Sequence, residues 1–550
     1  MPKLACPFYD DEIREAFAST WAKHKNIALR NVNYDQSWTF NVCSKYKDHL
    51  PANRNDVKDT FLFICLMNMK IEFVVNAVNE NPFETQHFAW IDFNLPHIFK
   101  SKVATSNYMQ FLTTCKWIPG FITIPGCWEK GQGIENIVDI INWWFMLGDG
   151  AAFNELFDLY LEHFAMFIER YRRITWEVNF WTWLEVNTNW DVSWYKADHD
   201  DSIVRVPSYL FSRCLADEFK APTIRYPLPK ILDMYPSSCG YAHFGGDNIL
   251  NVRYVNYRLD EWGRYHINHP EGHLVTQNVR CFLTKDLKSF DEDRPPKNVW
   301  EGMIGLPTYD KSVMGLEDVR LYTSGGKLRY VATNKSHSIS QRIRIMVGDY
   351  SAEMAMFETG QIIDPPTNTW CEKNWIPLDK SIDFGSTNVD KGSTNVGKGS
   401  TNVGKGSTNV GKGSTNIGFG ASLEQFIYRW APFEIGQIEN GALKIVKSVP
   451  VEHMQTQRIR GSTPPVWCAA LDCYICVVHY CEHIHGAKTL AYYHMLVKLG
   501  KKDYVPFEWS NSFHFNRVGI QYCIGFTLLQ TGEMAFWFSE HDGNPGLMIL

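Results

Sequence analysis

The sequence predicts two domains of different class, an α/β domain over residues 1–215 and a large all-β domain over residues 216–550. Three observations carry this reading. The length of 550 residues exceeds one ordinary domain, and 45% hydrophobic residues are ample for packed cores. Up to about residue 207, runs with helical spacing alternate with short apolar runs. From residue 249 onward helical spacing gives way to short alternating runs separated by turns.

In chain order, the first fifty residues hold one expected helix at 11–24. Apolar residues at Phe61, Leu62, Cys65, Leu66, Met69, Phe73, Val74 and Ala77 have the three-four spacing of an amphipathic helix over 59–77, which Asn81-Pro82 ends. Two strand-like runs follow, 87–96 and 121–125, then two helices at 153–168 and 171–186. The first strand ends on Asp92, where α/β sheets bind ligands, so Asp92 is the candidate to hold a divalent ion against a diphosphate. A turn-forming Asp ahead of Pro96 is the alternative.

The second domain begins with alternating runs at 249–257, 274–282, 319–333 and 342–347 and continues at 422–430, 473–479, 490–499 and 520–529. Four-stranded units closing in a ring would hide their edges, as in a propeller; two packed sheets are the other solution. Gly-Ser-Thr-Asn starts at 385, 392, 399, 406 and 413, and this seven-residue repeat, 385–418, has too few apolar positions for a coiled coil. It is read as a flexible loop expansion inside one unit.

The stretch organising this domain is Gly315-Leu316-Glu317-Asp318-Val319-Arg320, folded back by Ser324-Gly325-Gly326. Strand alternation predicts Asp318, Arg320 and Tyr322 on one face and Glu317, Val319 and Leu321 on the other. Arg253 and Asn256, then Lys373 and Asn374, then His479, and finally Asp542 lie at the start or end of strand runs in other units. In a ring such positions meet at one pocket.

A net charge of -6 without a Lys/Arg run excludes a nucleic-acid surface, and no apolar run reaches the ~18 residues of a membrane span. The opening residues turn acidic before an apolar core develops, and 14 scattered cysteines fit free thiols, so a soluble cytoplasmic chain is expected. Aromatic residues, 14% of the chain, suit both sugar faces and cores. Cys473, Cys476, His479, Cys481, His483 and His485 raise a zinc site, but strand neighbours two apart splay roughly 7 Å, so buried thiols and one pocket histidine are preferred.

The order of motifs resembles the five-bladed β-propellers of glycoside hydrolase family 130 and the related glycosyltransferase family 108, over roughly 240–545. Gly315 to Arg320 is similar to their Gly-x-Glu-Asp-Pro-Arg signature, with Val319 in place of Pro. Gly461-Ser462-Thr463-Pro464-Pro465 leading to His479 resembles their Gly-x-Pro-Pro segment and Tyr-His-Gly, with Tyr480 for Gly, and 538–542 resembles their closing Tyr-Gly-x-x-Asp. The resemblance implies an enzyme that makes or cleaves glycosidic bonds to a mannose-like sugar, with Asp318 as the catalytic acid. Arg253, Asn256, Glu317, Arg320, Lys373, Asn374, His479 and Asp542 would hold sugar hydroxyls, and inorganic phosphate or a sugar 1-phosphate would take part.

Residues 55–205, with Asn81-Pro82-Phe83, Phe88 to Phe93 and Trp176-Glu177, resemble the HtrL/YibB group of glycosyltransferases with a GT-A nucleotide-sugar fold. That resemblance implies Mn or Mg with a nucleotide sugar at Asp92 and Asn94, the Asp-x-Asp of the fold reading Asp92-Phe93-Asn94 here. The pairing of domains is similar to glycan-processing proteins of large DNA viruses, which would put the chain in a host cytoplasm. The alternative is a glycan-binding ring without catalysis, attached to a nucleotide-sugar transferase domain.

Overall fold

The computed structural model describes residues 4–8, 15, 26–31, 33–92, 95–126, 145–190, 192–260, 262–378, 424–451, 458–484 and 489–550. The expected helix at 11–24, apart from Glu15, and the repeat at 385–418 lie outside the described residues, as do Asn94 and His485.

Through residue 210 the chain builds a four-stranded mixed sheet in the order His87–Ile91, Phe145–Asp149, Ile122–Gly126, Ser193–Lys196. The inner two strands are buried because helices pack on them. The longest helix, Gly150–Tyr171, starts where the Asp149 side chain accepts from the Ala152 amide and buries Phe153, Leu156, Tyr160, Phe164, Phe167 and Ile168 on one stripe. Arg172, in a left-handed conformation (φ 50°), stops it, and the next helix is Glu177–Asn187.

The single helix expected at 59–77 is two, Phe61–Asn68 and Lys70–Glu80, bent by 42°. Asn68 turns its amide onto the Ile64 carbonyl and onto the Thr175 carbonyl, both at 2.8 Å, so a side chain competes for the backbone at the break. Among the described residues no single helix is long and apolar enough to cross a membrane. Trp181, Trp375 and Trp537 are sealed inside cores, so much of the aromatic content serves packing.

Beyond this region the described residues form five mainly antiparallel sheets in succession, a propeller-like arrangement, and one separate two-stranded hairpin. Sheet I is Tyr235–Phe244, Asp247–Val255 and Leu274–Leu283 with a short outer strand; sheet II is Glu317–Ser324, Lys327–Asn334 and Arg344–Ser351 with its outer strands. Sheet III is Ile376–Pro377, Gln425–Trp430, Phe433–Glu439 and Ala442–Val449. Sheet IV is centred on Cys473–Ile484 and Thr489–Leu499, and sheet V is Gln521–Leu528, Met534–Glu540 and Gly543–Ile549.

Apolar side chains on both faces of each sheet explain why the sheets stack in a closed circle. Ile249 of sheet I meets Val319 and Leu321 of sheet II. Val331 and Ile345 of sheet II meet Trp375 and Phe426 of sheet III. Ile427 of sheet III meets Cys476 and Val478 of sheet IV, whose other face offers Val477 to Cys523 and Phe536 of sheet V. Trp537 of sheet V returns to Cys239 and Val252 of sheet I. Each fully buried apolar side chain is worth roughly 1.5–3 kcal/mol, so every interface is a small core.

The circle is latched by backbone. Ile224, which precedes sheet I, pairs antiparallel with Leu547 of sheet V through hydrogen bonds of 2.8 and 2.9 Å. Arg213–Cys214 likewise joins sheet IV beside Phe513–His514. The inner strands of sheets I and II come so close at Gly240 that a Cβ there would stand 2.1 Å from the Val319 carbonyl oxygen.

Candidate active site

Glu317 and Asp318 open the inner strand of sheet II, and here alternation fails. The register of this strand slips between Glu317 and Arg320, and Asp318 takes a left-handed backbone (φ 52°). The bulge removes the face change expected between the two acids, so both carboxylates reach one cation. Arg253 Nη1 donates to Asp318 Oδ1 at 3.0 Å, and Arg253 Nη2 donates to Glu317 Oε1 at 2.8 Å. A non-glycine residue in this conformation costs about 1–3 kcal/mol and persists where surrounding structure imposes it, a pattern typical of functional sites. The expectation that Glu317 shares a face with Val319 and Leu321 is therefore corrected: Val319 and Leu321 enter the core between sheets I and II, and Glu317 does not.

Arg320 stays on the pocket side of its strand but is committed to the protein. Its Nε donates to the Ser462 carbonyl (2.6 Å), Nη1 to the Asp318 carbonyl (3.1 Å), and Nη2 to Asn374 Oδ1 (3.1 Å) and the Tyr522 hydroxyl (2.7 Å). The Tyr522 hydroxyl in turn donates to Asn374 Oδ1 at 2.7 Å. Sheets II, III, IV and V are thus tied together at one end of the ring by one guanidinium.

His479 pairs its Nδ1 with the Ser462 hydroxyl at 2.7 Å, stacks on Tyr492 and meets Tyr522 edge-on. Burial, with His494, Arg460 and Arg320 adding to it, holds its imidazole well below the ordinary value, so it is neutral. Lys373 places Nζ 3.6 Å from Glu317 Oε2 and keeps 38% of its side chain exposed. Burial opposes its charge, but Glu317 and Asp318 outweigh that and raise the ammonium's pKa.

Asp542 closes the site from sheet V, accepting from the Tyr257 hydroxyl at 3.0 Å. Burial pushes its carboxyl above the ordinary range; the Asp318 charge adds to this, while Arg253 works against it. Arg253 itself is raised well above its usual value: burial opposes the charge, and Tyr257, Glu317, Asp318 and Asp542 overcome it.

Asn256 is placed differently from the other expected residues. Its amide donates to the His273 carbonyl and accepts from the Val275 amide, at 2.9 and 2.8 Å, so it braces the loop after sheet I's second strand. Ser462, Tyr522 and Tyr257 join the cluster without having been singled out in the sequence. Ser462 lies within a quoted motif; Tyr257 and Tyr522 each stand next to a strand boundary, the only signal they offered.

In the α/β domain Asp92 does not present an open carboxylate. Lys70 Nζ, on a buried side chain, lies 3.2 Å from Asp92 and 2.8 Å from Glu177, and Trp90 Nε1 donates to Asp92 at 2.5 Å. A lysine thus already sets a cation against the carboxylate at which a metal was expected. In sheet IV, Cys473 and Cys476 fall on opposite faces, in different cores. Among the described residues no group of three or more His, Cys, Asp or Glu side chains is placed to hold one ion.

No family model and no curated protein sequence matches the chain. Among solved structures, a mannose phosphorylase from Leishmania mexicana in complex with phosphate ion is similar at 9% identity, over 62% of this chain and 89% of that one, with a TM-score of 0.36. A GDP-Man-dependent mannosyltransferase from the same organism is similar at 9% identity, 61% and 92% coverage and a TM-score of 0.33. A GH43_1 enzyme from Xanthomonas citri follows at 10% identity, 61% and 91% coverage and 0.32. The likeness is weak in identity and in superposition and transfers no residue role.

Proposed function

We propose that the ring is a five-bladed β-propeller whose end pocket makes or cleaves a glycosidic bond to a mannose-like sugar, with Asp318 as the residue exchanging the proton. The observation that carries this is the bulged, left-handed Asp318 paired with Arg253 beside Glu317 and Lys373, with Asp542 and, through Arg320, Asn374 and the Ser462–His479 pair drawn from the other sheets to the same end of the ring. The motif order noted in the sequence supports the same reading.

In synthesis, the Asp318 carboxylate takes the proton of an acceptor hydroxyl as its oxygen bonds to C1 of a sugar 1-phosphate, and the phosphate leaves from the opposite face with the bonding pair. In phosphorolysis the steps reverse: Asp318 protonates the glycosidic oxygen while phosphate attacks C1. One carboxyl suffices because phosphate is its own nucleophile. Lys373, the most open cation of the cluster, stands ready for phosphate, and neutral His479 for sugar hydroxyls.

The α/β domain we read as a GT-A-like body related to HtrL/YibB. Its Asp92 is already paired with Lys70, so the chemistry is assigned to the ring. A second reading, a ring that binds glycans without turnover, is favoured by one observation: Arg253 and Arg320 are both engaged by protein groups.

The test is a screen of sugar 1-phosphates with acceptor sugars, reading phosphate release, beside nucleotide sugars with Mn or Mg, reading nucleotide release. Phosphate release that requires Asp318 is expected. Nucleotide release that survives Asp318→Asn and vanishes in Asp92→Ala would move the activity to the first domain.

A further inference from the structure

The loop that leaves sheet I beside Arg253 forms a small hairpin, Tyr257–Leu259 paired with Tyr265–Ile267, that the mechanism above does not use. It is braced without being packed away. Asn268 donates its amide to the Asn256 carbonyl at 2.7 Å, and Asp260 accepts from the Trp262 and Arg264 amides, both at 2.9 Å. Two of its aromatic side chains nevertheless stand in solvent: Trp262 is 51% and Tyr265 53% exposed.

A shallow cleft largely open to solvent, with about 540 Å³ of space, runs along this hairpin, lined by Tyr235, Arg258, Tyr265, His266, Ile267 and Asn268. Arg258 lies over the Tyr235 ring at 4.0 Å, and among the described residues it forms no ion pair. The cleft adjoins the Asp318 cluster through two rings in contact, the Tyr265 ring centroid lying 4.8 Å from that of Tyr257, whose hydroxyl donates to Asp542.

An exposed ring face with donors and acceptors at its edge suits a pyranose, whose axial C–H groups pack on the ring while its hydroxyls find polar partners. A braced hairpin loses little freedom on binding, so the contact is not offset by ordering.

We infer that this cleft is a second saccharide subsite, holding the sugar residues joined to the one in the Asp318 pocket, and that the substrate is therefore an oligosaccharide chain. The inference rests on the glycan reading of that pocket. Arg258 and Tyr265 set the preference for chain length and take no part in bond exchange.

Calorimetric titration of the full chain with mannose, glucose and their α- and β-linked di- and trisaccharides tests it, with turnover of each followed separately. The parent is expected to bind a trisaccharide at least about tenfold more tightly than its monosaccharide. Arg258→Ala should lose part of that gain, and Tyr265→Ala with Arg258→Ala should lose it all, while Arg258→Ala binds the monosaccharide as the parent does. Circular dichroism checks that the variants fold, which the exposure of both side chains favours.

Equal affinity for mono- and trisaccharide in the parent, or a gain that survives the double substitution, overturns the subsite. Turnover with no chain-length gain defeats the subsite alone. A chain-length gain with no turnover defeats the Asp318 mechanism alone, and failure of the parent to bind any of these sugars defeats both.

Discussion

Replacing Asp318 separates its chemical role from its conformational one. Asp318→Asn keeps the shape and tolerates the left-handed backbone, while removing the group that exchanges the proton. Loss of a general acid or base costs about 10²–10⁴ in rate, or roughly 3–5.5 kcal/mol of barrier. Stability should change little, because Arg253 keeps Glu317 at 2.8 Å and is not left alone. Asp318→Gly and Asp318→Ala isolate the backbone. Alanine at φ 52° carries a penalty of roughly 1–2 kcal/mol that glycine escapes. If residues 224–550 unfold as one unit, an unfolding entropy of ~2.1 cal/mol/K per residue makes that about 1.5–3 °C in Tm. The assays are phosphate release from sugar 1-phosphates and thermal unfolding of all three variants. Asp318→Asn retaining more than a tenth of the parent rate, or Ala matching Gly in Tm, would refute the reasoning.

Other consequences follow from buried charge. Burial lifts the Glu301 carboxyl from 4.5 to about 7, against the hydrogen bonds of the Leu316 amide and Asn278. A folded value above the unfolded one means stability that is full below pH 4.5 and lost as pH rises through 7; Glu301→Gln should therefore gain on the parent in free energy of unfolding above pH 7, by on the order of 1–3 kcal/mol, and parallel pH profiles would exclude this. His494 is fully buried with neither ring nitrogen partnered, and burial, then His514, lowers it to about 3. Here the folded value lies below the unfolded one, so stability present above pH 6.5 is lost as pH falls; His494→Leu should move acid unfolding to lower pH, and an unmoved midpoint would count against it. Lys70→Met leaves the buried Glu177 and the half-buried Asp92 without their cation and should cost the first domain about 3–5 kcal/mol, part of it restored by adding Asp92→Asn. Limited proteolysis of residues 33–210 reads this directly, and protection equal to the parent's would show the lysine to be dispensable.

Period-two alternation made the strands legible, and the motif order made their convergence legible, because both are properties of contiguous residues. What escaped depends on contacts between distant ones. Nothing in Glu317-Asp318-Val319 marks a bulge; it exists because Arg253, 64 and 65 residues away, draws both carboxylates to one guanidinium, and that is visible only once sheets I and II adjoin. Asn256 read as a hydroxyl binder because amides are versatile, yet a turn beside it absorbed both ends of its side chain. Arg320 read as a substrate ligand, and its five donors instead join four sheets. The partner of Asp92 was legible in Lys70, a lysine between Met69 and Ile71 on a helix whose face is buried, where a charge persists only if paired. Sequence patterns thus locate the groups that gather at the pocket, while the division between those that hold the ring and those left open to substrate is decided by which hydrogen-bond capacity the protein has already used. By that measure Lys373, partly open with one carboxylate at 3.6 Å, is freer to meet an incoming anion than either arginine.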